Sequence, residues 1–377
     1  HVVRDSAGIV VVDNRTAAWR DGSGWSLDRQ PILDLGSADA PAAYQFQNIV
    51  AAGRLPDGGY VVADAGRNQL LFYDASGKHR ATAGRPGGGP GEFRWLSTMT
   101  VSGDSVLAYD PRLGRLSIFG PDASLRGTAQ LAEPGDTLHP LQMYGLAGVV
   151  DGRLIMAPRT FMPAGQSDVG TYWDSAAVLA YGMDGTLLGE TAEQMGAEMF
   201  VSTRGSAGVL FGRRSSATTD SASVFVADER RYEIHVYGPG GGLQRIIRRA
   251  WDPRPVTRED RDSLLHYLVR QAGFPTYHDP RAALLRGMLE SAPTPDHMPA
   301  HSAILADPQG TLWVAAYQLP WEPGPLAWSI FDPDGSWLGQ VDTPEGFTVL
   351  RLTGDAVLGV QRDSLDVQHF QVLRVHR

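Results

Sequence analysis

A chain of 377 residues with 33 Lys and Arg against 42 Asp and Glu carries a formal net charge of -9. That balance excludes general nucleic-acid binding, which needs a basic surface to neutralise phosphates. The lack of cysteine excludes disulfides, thiolate metal sites and cysteine nucleophiles together, while 42% hydrophobic residues, 44 Gly and 25 Pro fit a cored fold with many tight turns.

The chain starts at His1 rather than Met, as expected of a product whose signal segment has been removed. IVVVDN (9–14) reads as a strand or strap, and WSLDRQPILDL (25–35) as a strand without a local partner. A unit then recurs: an apolar segment, a polar turn, and a second apolar run closed by another turn. The first segments are YVVAD, VLAYD, LIMAP, VFVAD, LWVAA and VLGVQ, ending at Asp64, Asp110, Pro158, Asp228, Ala316 and Gln361. Their spacings are 46, 48, 70, 88 and 45 residues. Three of these match a four-stranded propeller blade, and the two long ones contain insertions. The second runs are QLLFYD, RLSIFG, AVLAYG, EIHVYG, AWSIFD and VQHFQV, and four of them lead into Gly-containing turns. In QLLFYD and EIHVYG both faces are expected to be buried between stacked blades.

The sixth unit stops after its third strand at Leu373–Arg377, which would leave an open edge. The 25–35 segment is therefore expected to supply the missing outer strand and close the ring. The first strands of the units are expected near 49–55, 96–102, 143–150, 215–224, 302–307 and 348–354.

The 88-residue interval holds two predicted helices. One starts at Thr257 with Asp260 as the capping acid, presents Leu264, Leu265, Leu268 and Val269, and stops at Gly273. The other starts at Asp279-Pro280, presents Leu284, Leu285, Met288 and Leu289, and ends at Pro293 and Pro295. In an up-and-down blade, strand 2–3 loops and blade-to-blade connections emerge on one face. The insertion (252–300), the loop 84–93 and the loops 159–175 and 318–326 all fall there. Loops on a rigid scaffold are where binding usually resides.

LPDGGYVVAD (55–64), LLFYDASGK (70–78), GRPGGGPGEF (84–93) and the C-terminal GDAVLGVQRDSLDVQHFQVLRV (354–375) carry a family likeness. On these segments the chain resembles the six-bladed NHL-like β-propellers of bacterial extracytoplasmic proteins, from about Trp25 onward. The resemblance implies a six-bladed ring and export, as a lipoprotein or a secreted protein. It transfers fold rather than function, since most members have no assigned reaction.

GRPGGGPGEF lacks the Lys and Ser/Thr of a phosphate loop and leads into a strand. It is read as the joint between the first two blades, with glycines at positive φ and Phe93 in the core. No G-x-S-x-G elbow is present. The first strands hold almost no His and few acids, so neither a channel metal nor a cofactor is expected. His278, His297 and His301, with Asp279 and Asp296, form the densest His/Asp group. Their spacing matches no zinc motif, and capping, turn and surface roles are expected of them.

Six Arg stand against three acids between Arg245 and Arg261. With Trp321, Trp328, Phe161 and Trp173 they supply the residue types favoured at interfaces. Arg248, Arg249, Arg254, Arg258 and Arg261 are the candidate partner-binding cations, although a solvated surface would look the same. Trp328 equally fits the start of a core strand. The whole chain (1–377) is thus read as one all-β, six-bladed β-propeller with a two-helix insertion between blades 4 and 5. Its expected role is a non-enzymatic, periplasmic or extracellular, protein-binding scaffold. It has no transmembrane segment of its own, and lipid head-group contact is admitted. An extrinsic subunit of a membrane complex, such as a photosynthetic reaction-centre and light-harvesting assembly, is one concrete version. The alternatives are a metal-dependent lactonase, lyase or hydrolase at the channel mouth, and a small-ligand or glycan binder.

Overall fold

The recurring apolar segments become strands because their side chains alternate between two packed faces. The computed structural model describes residues 1–20, 23–135, 143–159 and 168–377. Among them, six sheets of at least four strands, each built on an antiparallel four-stranded or three-stranded meander, follow one another in chain order, beside one small three-stranded sheet. The first sheet runs Ile49–Arg54, Tyr60–Asp64, Gln69–Tyr73 and His79–Ala83. The second runs Thr98–Ser102, Ser105–Asp110, Arg115–Phe119 and Leu125–Gln130, and the third Tyr144–Val150, Arg153–Pro158, Ser175–Tyr181 and Leu187–Met195. Ser215–Thr219, Val224–Asp228, Glu233–Tyr237 and Leu243–Arg249 form the fourth. The fifth comprises Ala303–Ala306, Leu312–Ala315, Leu326–Phe331 and Trp337–Thr343, and the sixth begins with Thr348–Leu352, Ala356–Arg362 and Gln368–His376.

Hydrophobic burial is distributed between consecutive sheets. Phe93, Leu96 and Phe119 join the first to the second, and Leu107, Tyr109, Met156 and Tyr181 the second to the third. Phe225, Ile234, Val314 and Phe331 lie between the fourth and fifth. Tyr60, Val62 and Tyr73 of the first sheet pack on Leu358, Phe370 and Val372 of the sixth. This arrangement is a β-propeller.

The Asp that ends the recurring segment has a structural task. Asp64 accepts backbone N–H bonds from Gln47 and Asn48, which lead into the first strand, and from Gly66 in the following turn. Asp110 does the same for Arg94, Trp95, Arg112 and Leu113. In the fourth sheet the work divides: Asp228 takes Arg230 N–H, and Glu229 takes Arg214 N–H at the lead-in.

GRPGGGPGEF is the joint between the first two sheets. Gly84 has φ +84°, and a Cβ there would lie 2.8 Å from the Asn68 carbonyl and 2.9 Å from the Phe93 ring. Phe93 is fully buried, and Glu92 folds back to accept from Gly89 N–H and from Arg85.

The N-terminal segments travel further than expected. Ser26–Leu27 and Leu33–Leu35 pair with the last strand of the sixth sheet, as predicted for 25–35. Ile9–Asn14 instead runs parallel to Leu243–Arg249 on the outer edge of the fourth sheet, with Val2–Ser6 beyond it. Between these anchors, Ala18 and Trp19 donate N–H bonds to Trp337 and Leu338 of the fifth sheet. The strap therefore crosses three sheets. Asn14 is its rivet, donating to the Arg248 and Gly335 carbonyls and accepting from Trp337 N–H. Asn14→Ala leaves these backbone groups unpaired beneath the strap and is expected to cost about 2–3 kcal/mol. Urea unfolding checks this.

Two packing expectations change. Glu233–Tyr237 alternates, with Ile234 and Val236 buried and Glu233, His235 and Tyr237 half-exposed, because a cleft opens beside it. The second helix also turns a different stripe inward. A 3-10 turn, Pro280–Ala282, precedes α2 (Ala283–Ser291) and sets its phase, so Ala282 and Leu289 are buried while Leu284 is 64% exposed.

Candidate functional site

Helix α1 (Arg258–Gln271) starts at the predicted capping box. Asp260 N–H donates to the Thr257 hydroxyl, and the Asp260 carboxylate accepts Thr257 N–H in return. The Thr257 hydroxyl also donates to that carboxylate and, with Arg254, holds it below the usual carboxylate range. Arg254 extends the network, reaching Asp260 at 3.2 Å and Glu322 of the loop after the fifth sheet's second strand at 2.6 Å. Arg261 donates to Thr294 and to the Glu290 carbonyl, tying α1 to the end of α2.

A small sheet that no repeat in the sequence marks is built from Gly170–Tyr172, Met199–Ser202 and Gly205–Gly208. Leu210 and Phe211, just beyond it, share one core with Leu264, Leu265, Val269 and Leu289 of the helices and Leu319 of the 318–325 loop. Three separate insertions thus fuse into a single second layer. Each insertion lacks enough apolar partners alone, which is why no local pattern announced the merger.

On this layer Arg258, Ser263, His266, Arg270 and Trp321 line a shallow groove of about 720 Å³, with Glu259 and Asp262 on its wall. Trp321 is half-exposed and leans toward Tyr267, with ring centroids 6.3 Å apart. Behind the groove, the Tyr277 ring stacks on His266 at 4.3 Å.

The other candidates disperse. Arg254 and Arg261 hold the layer together. Trp173 lies under the Arg213 guanidinium at 4.7 Å and lines a cleft between the third and fourth sheets, near the Glu233 partner of Arg248. Arg249 is clamped between Tyr232 and Trp337, at 4.9 and 4.1 Å, and donates to Ser329. It fastens the fourth sheet to the fifth. Trp328 is 3% exposed on a core strand, its indole N–H directed to Thr343, so it presents no surface to a partner. Phe161 lies outside the described residues.

The histidine group also divides. Asp279 caps its 3-10 turn by accepting Arg281 N–H, as predicted. His301 is fully buried rather than on the surface; its Nε2 faces the Asp228 carbonyl at 3.1 Å, and burial pulls its pKa down to about 4. His297 and Asp296 line a cavity of about 340 Å³ with Arg213, Arg230, Trp251 and Glu229. Glu229 was not among the candidates. Burial pushes its carboxyl up to about 8 against the opposing pull of Arg214. Only its place after the VFVAD segment hinted at a role. Among the described residues no group of three or more His, Asp or Glu is placed to hold a metal ion, and no helix is long and apolar enough to cross a membrane.

No protein-family model matches the chain, and no curated protein matches its sequence. Solved structures do. A protein described as exported, from Bacteroides fragilis, is 11% identical with a TM-score of 0.52, over 97% of this chain and 100% of its own. A member of the DUF4221 family from Bacteroides vulgatus is 8% identical with a TM-score of 0.56, over 94% and 99%. A gluconolactonase from Xanthomonas campestris is 11% identical over 93% and 100%, with a TM-score of 0.45. At such identities the likeness concerns fold alone. On that fold the two superpositions with TM-scores above 0.5 and the sheet order agree: the chain is a β-propeller.

Proposed function

We propose that this chain is a six-bladed propeller, closed by its N-terminal strands, that serves outside the cytoplasm as a non-enzymatic platform for a protein partner. In this reading it is an extrinsic subunit of a larger membrane-associated assembly. Six blades are supported by the six meandering sheets and by the packing of the sixth on the first. The observation that carries the role is the fused second layer, whose single core presents Trp321 and Arg258 along one groove. A half-exposed Trp beside Arg, held on a rigid support, is the composition of an interface hot spot. The test is co-purification from the native source. Trp321→Ala combined with Arg258→Glu is expected to lower partner capture at least about tenfold, with the melting temperature unchanged. Undiminished capture rejects the platform.

An enzymatic reading is favoured by one observation. Glu229 holds a proton near neutrality beside a cavity that also contains Arg213, Arg230 and His297, as a general acid would. Turnover of a lactone or ester by the wild-type protein, lost in Glu229→Gln, supports it. Turnover that survives in Glu229→Gln removes Glu229 from the chemistry.

A further inference from the structure

The strand 1–2 turns emerge at the opposite end of the sheets from the helical layer. There the ends of the first strands surround a cavity of about 390 Å³ at the channel mouth. Arg351, on Thr348–Leu352, lines it, with Thr100, Ser102 and Thr219 on the neighbouring walls. Burial in the channel draws the Arg351 guanidinium below its ordinary pKa, and no neighbouring charge opposes that. Among the described residues it has no hydrogen bond, ion pair or ring contact.

The other charges at the mouth are already engaged. Arg54 is paired with Asp355, at 2.8 and 2.9 Å to its two oxygens. Asp220 gives one oxygen to Ala222 N–H and Ser223 N–H, and burial raises its pKa. Among the described residues lining the mouth, Arg351 is left as the cation without a counter-charge. Arg351 is half-buried and an arginine stays protonated under such conditions, so a charge there without a partner is stabilised when an anion joins it.

We propose that the channel mouth is a binding site for a small organic monocarboxylate, gripped by the Arg351 guanidinium. The planar fork matches a carboxylate. Val101, Leu55 and Leu352 offer an apolar wall for the ligand's body, and the cavity suits a small molecule. Asp220 disfavours a second negative charge on the ligand.

The experiment titrates the whole chain with propionate, succinate and inorganic phosphate at fixed ionic strength, by calorimetry and thermal melting. Propionate is expected to bind saturably and to raise the melting temperature, with succinate and phosphate weaker. Arg351→Met is expected to weaken propionate at least about tenfold, while melting at the same temperature or higher without ligand, because an unpaired charge has gone. Arg351→Lys should keep part of the response. Four outcomes overturn the proposal: no saturable binding, tighter phosphate than propionate, equal propionate binding by Arg351→Met, or a large loss of unliganded stability in that variant. None of these bears on the partner groove at the other end.

Discussion

Glu229→Gln is expected to stabilise the protein at pH 8 and to leave its stability at pH 5 nearly unchanged. Burial holds the folded carboxyl near 8, whereas in the unfolded chain it titrates near the ordinary glutamate value of 4.5. Between those values the folded state keeps a proton that the unfolded state releases. This contribution to stability is complete below about pH 4.5 and is lost as pH rises toward 8, on the order of 5 kcal/mol in all. Glutamine imitates the protonated acid and can still accept from Arg214 N–H, so it removes the dependence. His301 acts in the opposite sense. Its folded pKa of about 4 lies below the unfolded 6.5, so its contribution is present above 6.5 and lost as pH falls through 4. The wild-type optimum therefore falls on the mildly acidic side, and Glu229→Gln should move it upward. Urea midpoints at pH 5, 6.5 and 8 decide the matter; parallel profiles for the two proteins would contradict the assignment.

Asp110→Ala is the second large effect. The carboxylate is 1% exposed and accepts four backbone N–H bonds, from Arg94 at 2.6 Å, Trp95 at 3.0 Å, Arg112 at 2.9 Å and Leu113 at 3.1 Å. Alanine leaves these donors without their acceptor at the junction of the second sheet's lead-in and its strand 2–3 turn. A loss of about 3–5 kcal/mol is expected, measured by chemical denaturation, with Asp110→Asn intermediate because its amide oxygen still accepts. Loss of less than about 1 kcal/mol in Asp110→Ala would mean that the repeated Asp is dispensable to the joint.

Asp110 also marks where sequence reasoning works best. Its segment VLAYD recurs with a local period, and local periods survive translation into strands because alternation and turn chemistry depend only on near neighbours. The same holds for the Thr257–Asp260 capping box and for Phe93 at the end of its glycine run. Partners chosen across the chain were legible only where a missing strand demanded one, as the sixth unit did for 25–35. Ile9–Asn14 reads as a strand from its composition, yet nothing in those six residues points to Leu243–Arg249 as its neighbour. Arg249 and Trp328 have the residue types of an interface, and only packing reveals that one is a clamp and the other core. Leu284 belongs to an apolar stripe on paper, but the preceding 3-10 turn rotates it into solvent.

By itself, then, the sequence determined the recurring strand pairs, the turns between them, the two helices and the crowding of insertions toward one end of the sheets. Tertiary structure alone decided that these insertions share one core, that the N-terminal strap rivets three sheets, that Glu229 keeps its proton and that Arg351 stands unpaired in the channel. The first group depends on hydrogen bonds and alternation within a few residues. The second depends on desolvation and on contacts between segments hundreds of residues apart, which composition and spacing do not encode.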